Sequence, residues 1–131
     1  MFDDLIGRPF KDGGRGPTEY DCWGLAKKVY LMYEQTLPEY PISAMDAVKI
    51  GQQMKQEETM WQKLEKPCVP CLVVIRLSDK SWANHVGVYI GNGQFIHAYK
   101  TTGVVIEKIK SWRSLIVGFY IQKGENMCSK L

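Results

Sequence analysis

From Leu72 to Gln122 the chain falls into five short runs rich in β-branched and aromatic residues: Leu72–Leu77, His85–Ile90, Gln94–Tyr99, Val104–Ile109 and Leu115–Gln122. Runs this short, joined by hairpin-length turns, bury their apolar side chains by pairing as an antiparallel sheet. The residues ahead of them follow a different period. Leu25, Val29, Met32 and Tyr33 recur at helical spacing, which predicts a helix from Cys22 to Gln35 with Asp21 as its N-cap. Ser43, with Asp46 three residues on, has the form of a capping box, so a second helix is expected from Ala44 toward Leu64, ended by Pro67. Helices first and strands second predict an α+β domain in which helices cover one face of a five- to six-stranded sheet.

With 131 residues, 45% of them hydrophobic, the chain holds one core and is too short for two ordinary domains. Residues 1–131 therefore read as one domain, with a glycine- and proline-rich loop region over 1–20 and a polar tail over 124–131. The net charge of +3 is spread along the chain apart from a mild basic bias at Lys108, Lys110 and Arg113, which gives no support for a nucleic-acid partner. No stretch approaches the ~20 apolar residues of a membrane span. The acidic start Met1-Phe2-Asp3-Asp4 is unlike a signal peptide, so none is expected.

Four cysteines, Cys22, Cys68, Cys71 and Cys128, could form two disulfides by count. A disulfide framework belongs mainly to small secreted domains without a core, so free thiols are expected, with Cys128 incidental. Cys68 and Cys71 lack a second ligand pair nearby; both histidines would be needed to complete a zinc site, and a structural role is the expectation. No metal or cofactor is expected.

Cys22 is different because it stands just inside a predicted helix start. Unpaired backbone N–H groups there lower a thiol pKa, whereas the Asp21 charge opposes that effect, so a nearby imidazole is required. The chain has two histidines, His85 and His97, and both fall on one predicted hairpin. A two-residue Asn92-Gly93 turn would pair His97 with Val88 and send the rings to opposite faces. A three-residue Gly91-Asn92-Gly93 loop, with Gly93 left-handed, would set Ile90 against Gln94 and His97 against Gly87, and both rings would share a face. The three-residue loop is the expectation. His85 would then exchange the thiol proton while His97 fixes its tautomer and orientation. Gly87 would leave room beside the reacting centre. Trp23 would either wall the cleft or pack into the core.

Asp21-Cys22-Trp23-Gly24, the strand His85-Val86-Gly87-Val88-Tyr89, the Gly91-Asn92-Gly93 turn and His97, twelve residues beyond His85, together resemble the NlpC/P60 family of papain-like cysteine peptidases. The resemblance runs from Gly7 to Tyr120. Gly7-Arg8-Pro9-Phe10, Gly13-Gly14-Arg15-Gly16-Pro17 and Val117-Gly118-Phe119-Tyr120 look most like the family's phage-tail branch.

The resemblance implies a papain-like fold with the nucleophile helix packed on the sheet. It implies hydrolysis of peptidoglycan stem peptides, typically between γ-D-glutamate and diaminopimelate or lysine, through a thioester on Cys22 with His85 and His97 as partners. It also implies synthesis in a bacterial cytoplasm and a place in a phage tail, with tail proteins as partners. A non-catalytic docking module and an acyltransferase on the same site are the alternatives. Two positions depart from the family pattern. Pro67-Cys68-Val69-Pro70-Cys71 stands where P-G-D is usual, and Phe10 stands where many bacterial members carry a tyrosine. Without that hydroxyl, the oxyanion would rely on the Cys22 backbone N–H or on another donor such as Tyr20.

Overall fold

The computed structural model describes residues 1–39, 60–77, 85–123 and 128. Its elements are α1 (Cys22–Met32), β1 (Trp61–Leu64), β2 (Cys71–Ile75), β3 (His85–Gly91), β4 (Gln94–Tyr99), β5 (Gly103–Lys108), a short α2 (Ile109–Trp112), a 3-10 turn (Arg113–Leu115) and β6 (Ile116–Gln122). Among the described residues they build one sheet in the order β1-β6-β2-β3-β4-β5. Every neighbouring pair is antiparallel. The α+β reading therefore holds, and all five expected strands are present.

Alternation along the strands separates two apolar layers. Leu72, Val74, Val86, Val88, Ile96, Ala98 and Val104 face α1 and pack with Leu25, Ala26, Val29 and Tyr30. Each valine, leucine or isoleucine among them contributes roughly 1.5 to 3 kcal/mol by leaving water. The opposite face carries Val73, Ile75 and Phe95, covered by Ile109 with Trp112, Ile116 and Phe119. The histidines belong to this second face.

Three expectations change. The second helix was expected to run toward Leu64, but Trp61–Leu64 is a strand paired with β6, Trp61 opposite Gln122 and Leu64 opposite Phe119. A free edge on β6 outweighs the weak helical pattern there. The start of that helix lies outside the described residues. Next, α1 stops at Met32 rather than Gln35, because Glu34 turns left-handed at φ 61° and Gln35 N–H donates to Tyr30 O. This is a Schellman end with glutamate where glycine is usual, so the sequence carries no stop signal.

The third change concerns sulfur. Cys68 and Cys128 form a disulfide with Cα atoms 5.5 Å apart across 60 residues, while Cys22 and Cys71 stay free and buried. β6 lies between β1 and β2, so the tail leaves the sheet beside the β1–β2 connection that carries Cys68. Spacing in a sequence cannot show that return. The bond also removes Cys68 from any zinc site. Unfolded without reductant, the protein should take up two carbamidomethyl groups from iodoacetamide, and four after reduction, as read by intact mass. Four without reductant would refute the bond.

Candidate active site

Asp21 builds the start of α1. Its carboxylate is fully buried. Oδ1 accepts from Gly24 N–H and from Arg15 Nη1, both at 2.7 Å, and Oδ2 accepts from Gly13 N–H at 3.0 Å. One side chain thus caps the helix and folds the Gly13–Arg15 loop over it. Gly24 is needed for this closure, since a Cβ there would lie 2.1 Å from Gly14 O. The Asp21 charge is neutralised by Arg15, which also pairs with Glu39. Sequence reasoning missed this ion pair, although Arg15 stood in one of the motifs singled out.

Cys22 is the first residue of α1 and is 5% exposed. Burial pushes its thiol up to about 12, and the Asp21 charge adds to this; hydrogen bonds from Val86 and Trp23 backbone N–H groups and the Arg15 charge act the other way. The Val86 bond sets the sulfur against the residue that follows His85. Among the described residues the thiol is bonded to backbone and to neither ring.

The β3–β4 hairpin brings the two imidazoles together by a route the sequence did not predict. The expected three-residue loop, with Ile90 facing Gln94, is absent. Instead Gly91 faces Gln94 across a two-residue Asn92-Gly93 turn, with φ 55° and 70°. That turn alone would separate the rings. A β-bulge at Ile90-Gly91, with Gly91 at φ 95°, inserts one residue, so Tyr89 faces Phe95 and Val88 faces Ile96. Continued by one residue, this register sets His97 opposite Gly87. His85 Nε2 lies 2.7 Å from His97 Nδ1.

Gly87 serves contact rather than room. A Cβ there would lie 2.8 Å from the Phe95 ring and 3.1 Å from His97 Cβ, so glycine is what lets β4 side chains cross to His85. His97 is fully buried, with the rings of Phe95 and Trp112 at 4.9 and 5.0 Å edge-on and that of Tyr99 at 5.8 Å nearly parallel. Its Nε2 has no hydrogen-bond partner among the described residues and stands 3.5 Å from Glu107 Oε2.

Trp23 is buried and its indole N–H donates to Pro38 O at 2.8 Å, which decides between the two readings in favour of the core. Tyr20 is buried with its ring and hydroxyl against Gly16. Cys22 N–H is one of the helix-start donors left over by the Asp21 cap.

Burial lowers both imidazoles, His85 to about 3 with His97 adding a smaller push, and His97 to about 4. A depressed folded-state pKa stabilises the fold above the unfolded value of 6.5, and that contribution is lost as pH falls toward the folded values. Unfolding midpoints in denaturant should therefore fall between about pH 6.5 and pH 4, and His97→Asn should flatten that slope. An unchanged slope would contradict the neutral buried pair.

The NlpC/P60 family model matches residues 7–124. Probable endopeptidase p60 of Listeria innocua is 30% identical over 116 residues, 87% of this chain and 22% of that protein. Murein DD-endopeptidase MepH of Escherichia coli is 33% identical over 98 residues, 73% of this chain and 33% of that protein. The chain thus spans a fifth to a third of these relatives. Among solved structures, NlpC1 from Trichomonas vaginalis superposes with a TM-score of 0.67 at 22% identity, covering 93% of this chain and 42% of that one, which speaks to the fold alone. With the family model covering all but the ends, this chain belongs to the NlpC/P60 family.

Proposed function

We propose that this domain is a cysteine peptidase of the bacterial wall that hydrolyses peptidoglycan stem peptides through a thioester on Cys22. The observation that carries the reading is the buried His85–His97 pair, 2.7 Å apart, on the strand whose Val86 N–H holds the Cys22 sulfur. His85 Nε2 is taken by His97, which leaves Nδ1 to exchange the thiol proton. Sγ attacks the scissile carbonyl carbon as its proton moves to His85. The C–N bond then breaks and His85 returns the proton to the leaving amine. Water attacks the thioester, giving its proton to His85, and the thiol is restored with release of the acid. The Cys22 N–H is the first candidate donor to the oxyanion, and Tyr20 the alternative named by the sequence.

The scissile bond in this reading joins γ-D-glutamate to diaminopimelate or lysine. The relative named a DD-endopeptidase makes the D,D cross-link the competing cut. The loop motifs Gly7–Phe10 and Gly13–Pro17 support a phage-tail setting, in which the domain is made in the bacterial cytoplasm and opens the wall locally. Incubation with purified peptidoglycan fragments, with products identified by mass, tests the hydrolysis and the bond cut. The masses separate the two cuts, and an amine adduct in place of the free acid would mark acyl transfer. One observation favours a non-catalytic docking module: a thiol 5% exposed and pushed up to about 12. No product from the wild type would favour that module.

A further inference from the structure

We propose that Glu107 is a positioning residue that holds His97, and through it His85, in the tautomer able to take the thiol proton. The proposal rests on the cysteine-peptidase reading above. A neutral imidazole carries one N–H, so the 2.7 Å contact between His85 Nε2 and His97 Nδ1 has one proton in it and two possible owners. If His97 Nδ1 owns it, His85 carries its own hydrogen on Nδ1 and has no lone pair there for the thiol. If His85 Nε2 owns it, His85 Nδ1 is a base and His97 carries its hydrogen on Nε2. The far end of His97 decides between the two.

At that end, buried Nε2 has no hydrogen-bond partner among the described residues, and the Glu107 carboxylate stands close, its Oε2 at 3.5 Å. A carboxylate attracts an N–H and repels a lone pair, so it favours the Nε2–H form of His97 and hence the basic form of His85. The surroundings leave it little competition. On its own strand His97 is flanked by Phe95 and Tyr99, and α2 supplies Trp112. Among the described residues the titratable groups facing it are His85 from β3, Tyr99 from β4 and Glu107 from β5.

Glu107 reaches the site because of register. Val105 lies opposite His97 and Glu107 opposite Phe95, so the carboxylate is a same-face, diagonal neighbour of the imidazole. Its side chain is 32% exposed on an edge strand, where Glu107→Gln keeps the shape and removes the charge with little threat to folding.

With only two histidines in the chain, imidazole nitrogen-15 spectra report both tautomers directly, independently of turnover. The wild type should show both rings protonated at Nε2. In Glu107→Gln, His97 should shift toward the Nδ1–H form. Its kcat on wall peptides should fall roughly tenfold with KM little changed, by analogy with other groups that act through a histidine. Loss of a negative charge lowers the pKa of the imidazole pair, so the acid limb of the kcat profile should move to lower pH. A wild-type His97 protonated at Nδ1, or a variant with unmoved tautomers and acid limb, would overturn the proposal. Should the wild type not cut wall peptides at all, the peptidase reading fails, and the spectra alone still decide whether Glu107 sets the tautomers.

Discussion

Cys22→Ala should end release of stem-peptide fragments, a loss on the order of 10⁴- to 10⁶-fold, and His85→Ala should match it. In the proposed mechanism the two groups act as a unit, since attack requires the sulfur and removal of its proton in one event. The double variant should therefore be no slower than either single one, whereas independent roles would multiply. His97→Ala should cost less, on the order of 10² to 10⁴, because it removes orientation and leaves the base in place. Melting temperature separates these losses from unfolding. The sulfur is small and bonded only to backbone among the described residues, so Cys22→Ala should shift stability by about 1 kcal/mol or less. Full activity in Cys22→Ala, or a double variant far below both singles, would remove the thioester mechanism.

Why these residues were legible at all is a matter of range. Asp21, Cys22 and Gly24 are neighbours in sequence, and the cap that joins Asp21 to Gly24 acts across three residues. The five strands were read from period and turn residues, which are likewise local. What escaped depends on distant segments. β1 exists because β6 offers an edge to Trp61–Leu64, and the Cys68–Cys128 bond exists because β6 returns between β1 and β2. The hairpin is the instructive case. Asn92-Gly93 does form the turn its composition favours, and taken alone it would have parted the two rings. Gly91 corrects the register by turning left-handed inside the strand, a bulge that the sequence shows only as one glycine more than the turn needs. The proximity of His85 and His97 was thus reached through a wrong intermediate. Gly87 is expected to leave room beside the reacting centre, whereas it is the place where β3 admits Phe95 and His97.

Arg15→Met should be the most destabilising single change outside the apolar core. Among the described residues it would leave a fully buried Asp21 carboxylate with backbone donors only, a loss of roughly 3 kcal/mol and on the order of 10 °C in Tm. The estimate sits at the low end for a buried pair because the Arg15 side chain is 28% exposed. Asp21→Asn removes the opposite charge and retains an oxygen for the Gly24 N–H, while Arg15 keeps Glu39, so its cost should be smaller. The two changes should also move the thiol in opposite directions. Arg15 holds the Cys22 pKa down and Asp21 holds it up, so iodoacetamide labelling at a fixed alkaline pH should slow in Arg15→Met and quicken in Asp21→Asn. The double variant should recover part of the stability lost in Arg15→Met, since the unpaired carboxylate is then gone. Equal losses in the two singles, simply adding in the double, would mean that the pair is a surface contact and that the cap alone holds the loop against the Cys22 thiol. Opposite shifts in labelling would instead show that the same ion pair which closes the Gly13–Arg15 loop also sets how readily the sulfur gives up its proton.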